Sequence, residues 1–144
     1  MLDQALWRPQ LSSERGLNLF FRAIAAPGDR NLVDAYADGG FTFKRLSPSR
    51  PDDTVGLGLA YAAISPEAAT YDREIVALTG APMPIRDYEA AVELTYQWKL
   101  ADDWFVQPDL QYIIHPGGNI PNPASANLPI PNALVIGART TLRF

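Results

Sequence analysis

Apolar and polar residues alternate through the middle of the chain, in residues 88–116. Every second residue from Tyr88 to Leu100 is apolar, and the residues between them are mostly charged, amide or small. A short polar break at 101–103 separates this run from a second one of the same kind. Alternation with a period of two is typical of a β-strand that has one apolar and one polar face. The stretch therefore predicts two antiparallel strands.

The same period appears in most of the remaining chain, while long helical periodicity is scarce. The further strand-like segments are 16–27, 34–46, 53–64 and 132–144, and a short N-terminal piece from Leu2 to Trp7 can be added to them. Together they predict an all-β, antiparallel, up-and-down sheet of about seven strands. Only Pro66 to Leu78 is suited to a helical turn or two.

The predicted connections are sorted by length. Residues 47–53 and 100–103 form short polar turns, whereas 65–87 and 116–131 are long and hold most of the irregular sequence. The connection 26–33, with an ordinary turn at 27–31, is expected on the same side as the two long ones. In an up-and-down sheet this places every long connection at one end. Outer-membrane β-barrels have this asymmetry, with short periplasmic turns and long extracellular loops.

The apolar face is suited to contact with lipid. Its aromatic residues Tyr88, Trp98, Trp104 and Phe144 lie near segment ends, with aliphatic residues between them, as in the aromatic girdles of a membrane barrel. The segments also match the roughly 9–11 residues of a transmembrane strand better than the mode of about 5–6 in globular proteins. We expect part of a transmembrane barrel. The alternative is a soluble β-sheet module that binds carbohydrate or another ligand, with this face as its core.

Composition excludes several other classes. A net charge of −4 gives no basic surface for nucleic acid, and the absence of cysteine excludes disulfide scaffolds and thiolate metal sites. The N-terminus lacks the basic start and apolar core of a signal peptide. With His115 as the only histidine and no G-x-S-x-G motif, the sequence indicates neither an enzyme nor a cofactor.

Several stretches resemble the C-terminal part of the carbohydrate-selective porins of Gram-negative outer membranes. They are 3–9, 19–31, 50–61, 88–118 and 132–144. The most specific are "QPDLQYI" and the closing "ALVIGARTTLRF". The resemblance implies a sixteen-stranded barrel in the outer membrane, surrounded by lipid, that passes small sugars, glucose especially, by diffusion. It also implies a terminal strand, ending at Phe144, that the barrel assembly machinery reads. Porins of this broader class are often homotrimers, and the sequence does not reveal the oligomeric state.

About seven strands cannot close a water-filled pore, for which 16–18 are typical. An open sheet edge in lipid would also leave unpaired backbone groups at a cost of several kcal/mol each. We therefore expect residues 1–144 to be the C-terminal portion of a larger porin barrel, inactive alone, whose function is that of the parent protein.

Sugar selection requires groups that bind hydroxyl pairs and surfaces that stack on a pyranose ring. Arginines can donate two hydrogen bonds to neighbouring hydroxyls, and carboxylates can accept from them. The candidates on the predicted lumen face are Phe20, Arg22, Glu93, Gln97, Asp109, Gln111 and Arg139. The alternative is that these side chains form a ladder of ion pairs that only holds the wall. Asp52 and Asp53, beside Arg50, are interpreted as turn residues.

Overall fold

A computed structural model of the chain describes residues 2–7, 15–45 and 47–144. Nine strands and two helices follow one another along it. In chain order they are β1 (Leu2–Trp7), β2 (Gly16–Ala25), β3 (Val33–Lys44), β4 (Thr54–Ile64), α1 (Pro66–Thr79), β5 (Tyr88–Ala101), β6 (Trp104–Ile114), α2 (Pro116–Asn119), β7 (Pro121–Asn122), β8 (Ser125–Pro129) and β9 (Ala133–Leu142).

Seven of the strands form one antiparallel sheet in the order β1-β2-β3-β4-β5-β6-β9, while β7 and β8 pair separately within the last long connection. The predicted up-and-down sheet of about seven strands is confirmed, including the N-terminal strand Leu2–Trp7. The prediction of one or two helical turns was too short. Helix α1 has 14 residues, because Ser65 caps its first turn, Pro66 begins it and Gly80 ends it with a φ of 67°.

The register gives the sheet two faces of opposite character. Residues directly opposite one another on paired strands lie on the same face. One row across β2 to β9 is entirely apolar: Leu19, Phe41, Leu57, Leu94, Leu110 and Ile136. The adjacent row, on the other face, is Phe20, Gly40, Gly58, Glu93, Gln111 and Val135. We call these sides the apolar face and the polar face.

The apolar face is open to the surroundings. Leu57 is 42% exposed, Leu94 48% and Ile136 77%, and no hydrophobic residue in the described part of the chain is buried. A soluble module would need a second layer over this face. The described residues supply none, so this sheet has no core of its own on either side.

Aromatic side chains lie near both ends of the apolar face, as the sequence predicts. Tyr61 and Tyr88 stack with ring centroids 5.3 Å apart at the end that holds the long connections. At the other end the Trp104 indole N–H donates to the Thr140 hydroxyl at 2.9 Å, and the Arg50 guanidinium lies 4.8 Å from the Trp98 ring centroid. No helix within the described residues is long and apolar enough to cross a membrane.

The short-turn end is held by one buried carboxylate. Asp53, 2% exposed, accepts hydrogen bonds from the Tyr96 hydroxyl and from the Lys99 backbone N–H, the latter at 3.1 Å. The Arg50 guanidinium lies 3.7 Å from Asp53, and the Lys99 ammonium lies 3.2 Å from Asp52. The two aspartates thus join the turn after β3 to strand β5, which agrees with their interpretation as turn residues.

At the opposite end, helix α1 is fastened to the chain that returns from it. Arg86 donates from Nε and Nη2 to the two carboxylate oxygens of Asp72, at 2.8 and 2.7 Å, and its backbone N–H donates to Asp72 as well. The Asp72 side chain is only 3% exposed. These hydrogen bonds favour the charged carboxylate and hold the pKa of Asp72 below its usual 3.8.

The glycines of the polar-face row predict unequal tolerance to substitution. A Cβ on Gly40 would collide with the Leu57 carbonyl oxygen and lie 3.0 Å from the Phe20 ring, whereas one on Gly58 would meet only the Glu93 Cβ at 3.9 Å. Gly40→Ala should lower the free energy of unfolding by about 2 kcal/mol because of overpacking. Gly58→Ala, its matched control, should be neutral or slightly stabilising. Urea titration of the folded protein in detergent measures both. Equal effects of the two substitutions would contradict this packing.

Loss of the Asp72 carboxylate should release helix α1 without opening the sheet. Asp72→Asn leaves Arg86 without its charged partner and should cost about 2 kcal/mol of local stability. Amide hydrogen exchange would show faster exchange confined to residues 66–86, and Glu74→Gln on the exposed side of the helix is the control. No change in exchange rate in the Asp72 variant would refute the role of this pair.

The same ion pair gives helix α1 a pH dependence of known sign. The pKa of Asp72 is lower in the folded protein than in the unfolded chain. The stabilisation that the Asp72 carboxylate gives to helix α1 is therefore complete above pH 3.8. That contribution decreases as the pH falls from 3.8 through the lowered pKa, and it is absent below it. The amide protection factors in helix α1, which compare exchange with that of the unfolded chain, should therefore fall only below about pH 3.8. Asp72→Asn should abolish this pH dependence.

Candidate functional site

All seven predicted candidates lie on the polar face. Phe20, Glu93 and Gln111 belong to one row of paired positions, and Arg22 lies one step further along β2. Asp109 is paired with Thr95 and Gly137, in the row on the other side of Glu93. The structure thus places every candidate on the side opposite the exposed leucines, as the alternation predicts. It divides them into three groups.

The first group spans β5 and β6. The Gln111 side-chain amide donates to the Glu93 carboxylate at 2.9 Å, across directly paired positions. Asp109 extends over β9, where a Cβ on Gly137 would lie 2.5 Å from its carboxylate oxygen. Glycine at 137 is what leaves room for that carboxylate. The carboxylates of Glu93 and Asp109 and the side-chain amide of Gln111 therefore lie on the polar face of two neighbouring strands, β5 and β6.

The second group spans β2 and β3. Arg22 donates from Nε to the Asp38 carboxylate at 2.7 Å, and the two residues are direct cross-strand partners. The Arg22 guanidinium also lies 5.5 Å from the centre of the Tyr36 ring. Phe20 is two residues before Arg22 and therefore on the same face. An ion pair is thus flanked by two aromatic residues.

Small residues separate these two groups. Between Phe20 and Glu93 the row contains only Gly40 and Gly58, and the next row contains Asp38, Ala60 and Ala91 beside Arg22. Three interstrand steps put Phe20 and Glu93 about 14 Å apart at the backbone. Gly40 on β3, with Gly58 and Ala60 on β4, therefore leaves a low strip of the polar face between the two groups of candidate side chains.

Gln97 and Arg139 form the third group, nearer the short-turn end. Gln97 is opposite Thr54, and Arg139 is opposite Gln107. No hydrogen bond or ion pair in the described part of the structure joins either of them to the other five candidates. The alternation predicts the face of Gln97 and Arg139 correctly, but it does not specify their distance from the other two groups.

Asp38 and Tyr36 are further candidates on the polar face that the sequence analysis missed. Segment 34–46 is interrupted by Gly39 and Gly40, so only its second half showed a clear alternation. Counting back in steps of two from Thr42, on the polar side, passes through Gly40 to Asp38 and Tyr36. This two-residue spacing could have placed Asp38 and Tyr36 on the polar face, and the β2–β3 register confirms that placement.

The long connections meet at the end of the polar face. The Ser65 N–H donates to the Leu32 carbonyl at 2.8 Å, which joins the connection after β4 to the connection after β2. The Asp87 N–H donates to the Gly118 carbonyl at 3.1 Å, and the Asn119 side chain donates to the Ile85 carbonyl at 3.0 Å. These two hydrogen bonds join the connection after β4 to the connection after β6. These contacts give the end of the sheet a connected rim.

His115 belongs to this rim. It follows the last residue of β6 with a φ of 51°, and its Nδ1 lies 3.0 Å from the Asp87 carboxylate. Its ring centroid is 4.6 Å from that of Tyr88. His115 is thus a strand-end residue, and its contacts fix the start of the last long connection.

Comparison with known proteins agrees with this geometry. The chain is 32% identical over 113 residues to Porin B of Pseudomonas aeruginosa, covering 74% of this chain and 25% of that protein. A relative from Acinetobacter baylyi, also named as a porin, is 26% identical over 127 residues, which is 81% of this chain and 28% of the relative. The chain thus spans about a quarter of the length of the curated relatives it matches.

A solved structure shares both fold and sequence with the chain. The structure of Pseudomonas putida OprB at high pH superposes with a TM-score of 0.77 at 28% identity, covering 89% of this chain and 30% of that one. The profile of the carbohydrate-selective porin (OprB) family matches residues 1–144. The chain belongs to the carbohydrate-selective porin family of outer-membrane β-barrel proteins.

Proposed function

We propose that this chain forms part of the wall of a water-filled channel through which sugars diffuse passively across the outer membrane. The observation that carries the proposal is one sheet with an exposed apolar face and a polar face of paired charged groups. Lipid is the environment that accepts the first face, and water the one that accepts the second. This makes the protein a channel rather than an enzyme.

We further propose that residues 1–144 are the C-terminal portion of a larger, sixteen-stranded barrel. Strands β1 and β9 are the two edges of the sheet, and each has a sheet neighbour on one side only. Unpaired backbone groups on these edges would cost several kcal/mol each in lipid, so further strands must close the barrel. The match to 30% of the OprB chain supports this proposal.

The polar face is suited to neutral solutes. The charges of Arg22 and Asp38 neutralise one another, and Glu93 is hydrogen bonded to Gln111. Groups of both signs, together with the Gln111 amide, can donate to sugar hydroxyls and accept from them. In this proposal Phe20, Arg22, Glu93, Gln97, Asp109, Gln111 and Arg139 line the sugar path.

The remaining partners follow from the proposed location. The apolar face, with Leu57 and Ile136 exposed, contacts outer-membrane lipid. Phe144 follows the last strand and is fully exposed, so it is available for recognition by the barrel assembly machinery. A homotrimer is the assembly we propose by analogy with porins in general.

Sugar diffusion is tested by liposome swelling. The protein, expressed with its genomic flanking sequence and reconstituted in liposomes, should cause swelling in isotonic glucose and leave the glucose chemically unchanged. Protein-free liposomes and an impermeant dextran are the controls. Absence of swelling by protein that is inserted, as judged by protease protection, would contradict the channel.

The size of the polypeptide in the membrane tests barrel closure separately. Mass spectrometry of the protein extracted from outer membranes should find a chain about three times as long as residues 1–144, as the coverage of the relatives indicates. A chain of 15.8 kDa would overturn closure by additional strands of the same polypeptide.

A further inference from the structure

We propose that Arg22 and Asp38, with the rings of Phe20 and Tyr36 on either side, form a binding subsite for one neutral pyranose ring on the channel wall. The inference rests on the proposed channel and goes beyond it, because it names four residues that together bind one sugar ring. Two of the four, Tyr36 and Asp38, were not among the candidates identified from the sequence.

The ion pair supplies the polar contacts. Arg22 uses Nε to bind Asp38, while its side chain remains 50% exposed and that of Asp38 17% exposed. Neighbouring hydroxyls of a pyranose present donors and acceptors at adjacent positions. A guanidinium that is held by a carboxylate offers a donor and an acceptor side by side, fixed by two rigid strands.

The two rings supply the apolar contacts. Along the strands, the Phe20 position lies one pleat repeat, about 7 Å, before the ion pair, and the Tyr36 position lies one repeat after it. The apolar C–H face of a pyranose can stack on either ring while its hydroxyls reach the pair. The Tyr36 ring is already in contact with the guanidinium, at 5.5 Å, which limits the motion of both groups.

The neighbouring strand leaves room for the ligand. Opposite Gly40, Asp38 and Tyr36 on β3, strand β4 presents only Gly58, Ala60 and Ala62. A sugar bound at Asp38 therefore meets no long side chain until β5. By contrast, the Glu93–Gln111 pair lies between Gly58 on β4 and Val135 on β9, and the aromatic residue of its row, Phe20, is three strands away from Glu93.

The charge balance selects the class of sugar. Arg22 and Asp38 together have no net charge, so a neutral pyranose loses nothing on approach. A sugar acid would bring its carboxylate towards Asp38 as well as Arg22, and like charges in contact oppose binding. The subsite therefore favours glucose-type neutral sugars over their uronic acids.

The competing interpretation is that the ion pair only fastens β2 to β3. Both interpretations predict that Asp38→Asn weakens the contact with Arg22. Only the binding site predicts a change in which sugar is preferred, because the substitution leaves Arg22 as an uncompensated cation with an amide neighbour.

The test uses single channels of the full-length protein in planar bilayers, with sugar-induced block of the ion current as the readout. Asp38→Asn should raise the Kd for glucose and lower the Kd for glucuronate, and Arg22→Ala should raise the Kd for glucose about tenfold. Lys44→Ala is the matched control. It removes a cation from the polar face of β3, at the short-turn end and away from the subsite, and should leave both Kd values close to those of the wild type.

The outcomes separate this inference from the channel itself. If the wild type conducts and passes glucose but Asp38→Asn leaves the ratio of the two Kd values unchanged, the subsite is wrong and the channel stands. If the wild type passes no sugar, the proposed function fails first. Should the charge variants not fold, as judged by heat-modifiable mobility in detergent gels, Phe20→Leu replaces them. A glucose Kd unchanged by loss of that ring would likewise overturn the subsite.

Discussion

Backbone hydrogen bonding in a medium without water is the constraint on which this structure depends. In hydrocarbon each unpaired N–H or C=O costs several kcal/mol, so a chain can cross only as a helix or as strands that are paired on both sides. The chain has six consecutive ladders across the sheet, most of them ten or more pairs long. Because the backbone groups are paired within the sheet, the side chains can differ between the two faces. Leu57 therefore lies on the apolar face while the next residue, Gly58, lies on the polar face.

Both ends of the sheet are stabilised by polar interactions, through different groups. At the short-turn end one buried carboxylate, Asp53, links a turn to the next strand. At the other end the buried Asp72–Arg86 pair folds a long connection into a helix and a return segment. Polar interactions therefore stabilise the loops, because the described residues form no hydrophobic core there. Hydrogen bonds between the connections also hold them together at that end of the sheet.

Strands were largely predictable from the sequence because alternation is a local signal. Residues 88–100 were predicted as a strand and Tyr88–Ala101 is one. The alternation alone assigned Glu93 to the polar face and Leu94 to the apolar face. The length of helix α1 was underestimated, although Ser65, Pro66 and Gly80 are local signals for its two ends. The hydrogen bonds between Asp72 and Arg86, 14 residues later, had no local signal. Asp38 was missed because two glycines obscured the alternation in β3. Distances between candidates on different strands depend on register, which no single strand encodes.

The central claim is that one face of this sheet contacts lipid and the other contacts water. Spin labels placed one at a time at residues 92–96 of β5, in the protein reconstituted in lipid, test it most directly. Collision rates with oxygen, which dissolves in lipid, and with a water-soluble nickel complex should alternate. Labels at Val92, Leu94 and Tyr96 should favour oxygen, and those at Glu93 and Thr95 should favour nickel. Labels at Val92 and Leu94 that are shielded from both reagents, as in a soluble core, or that collide mainly with nickel, would contradict the account.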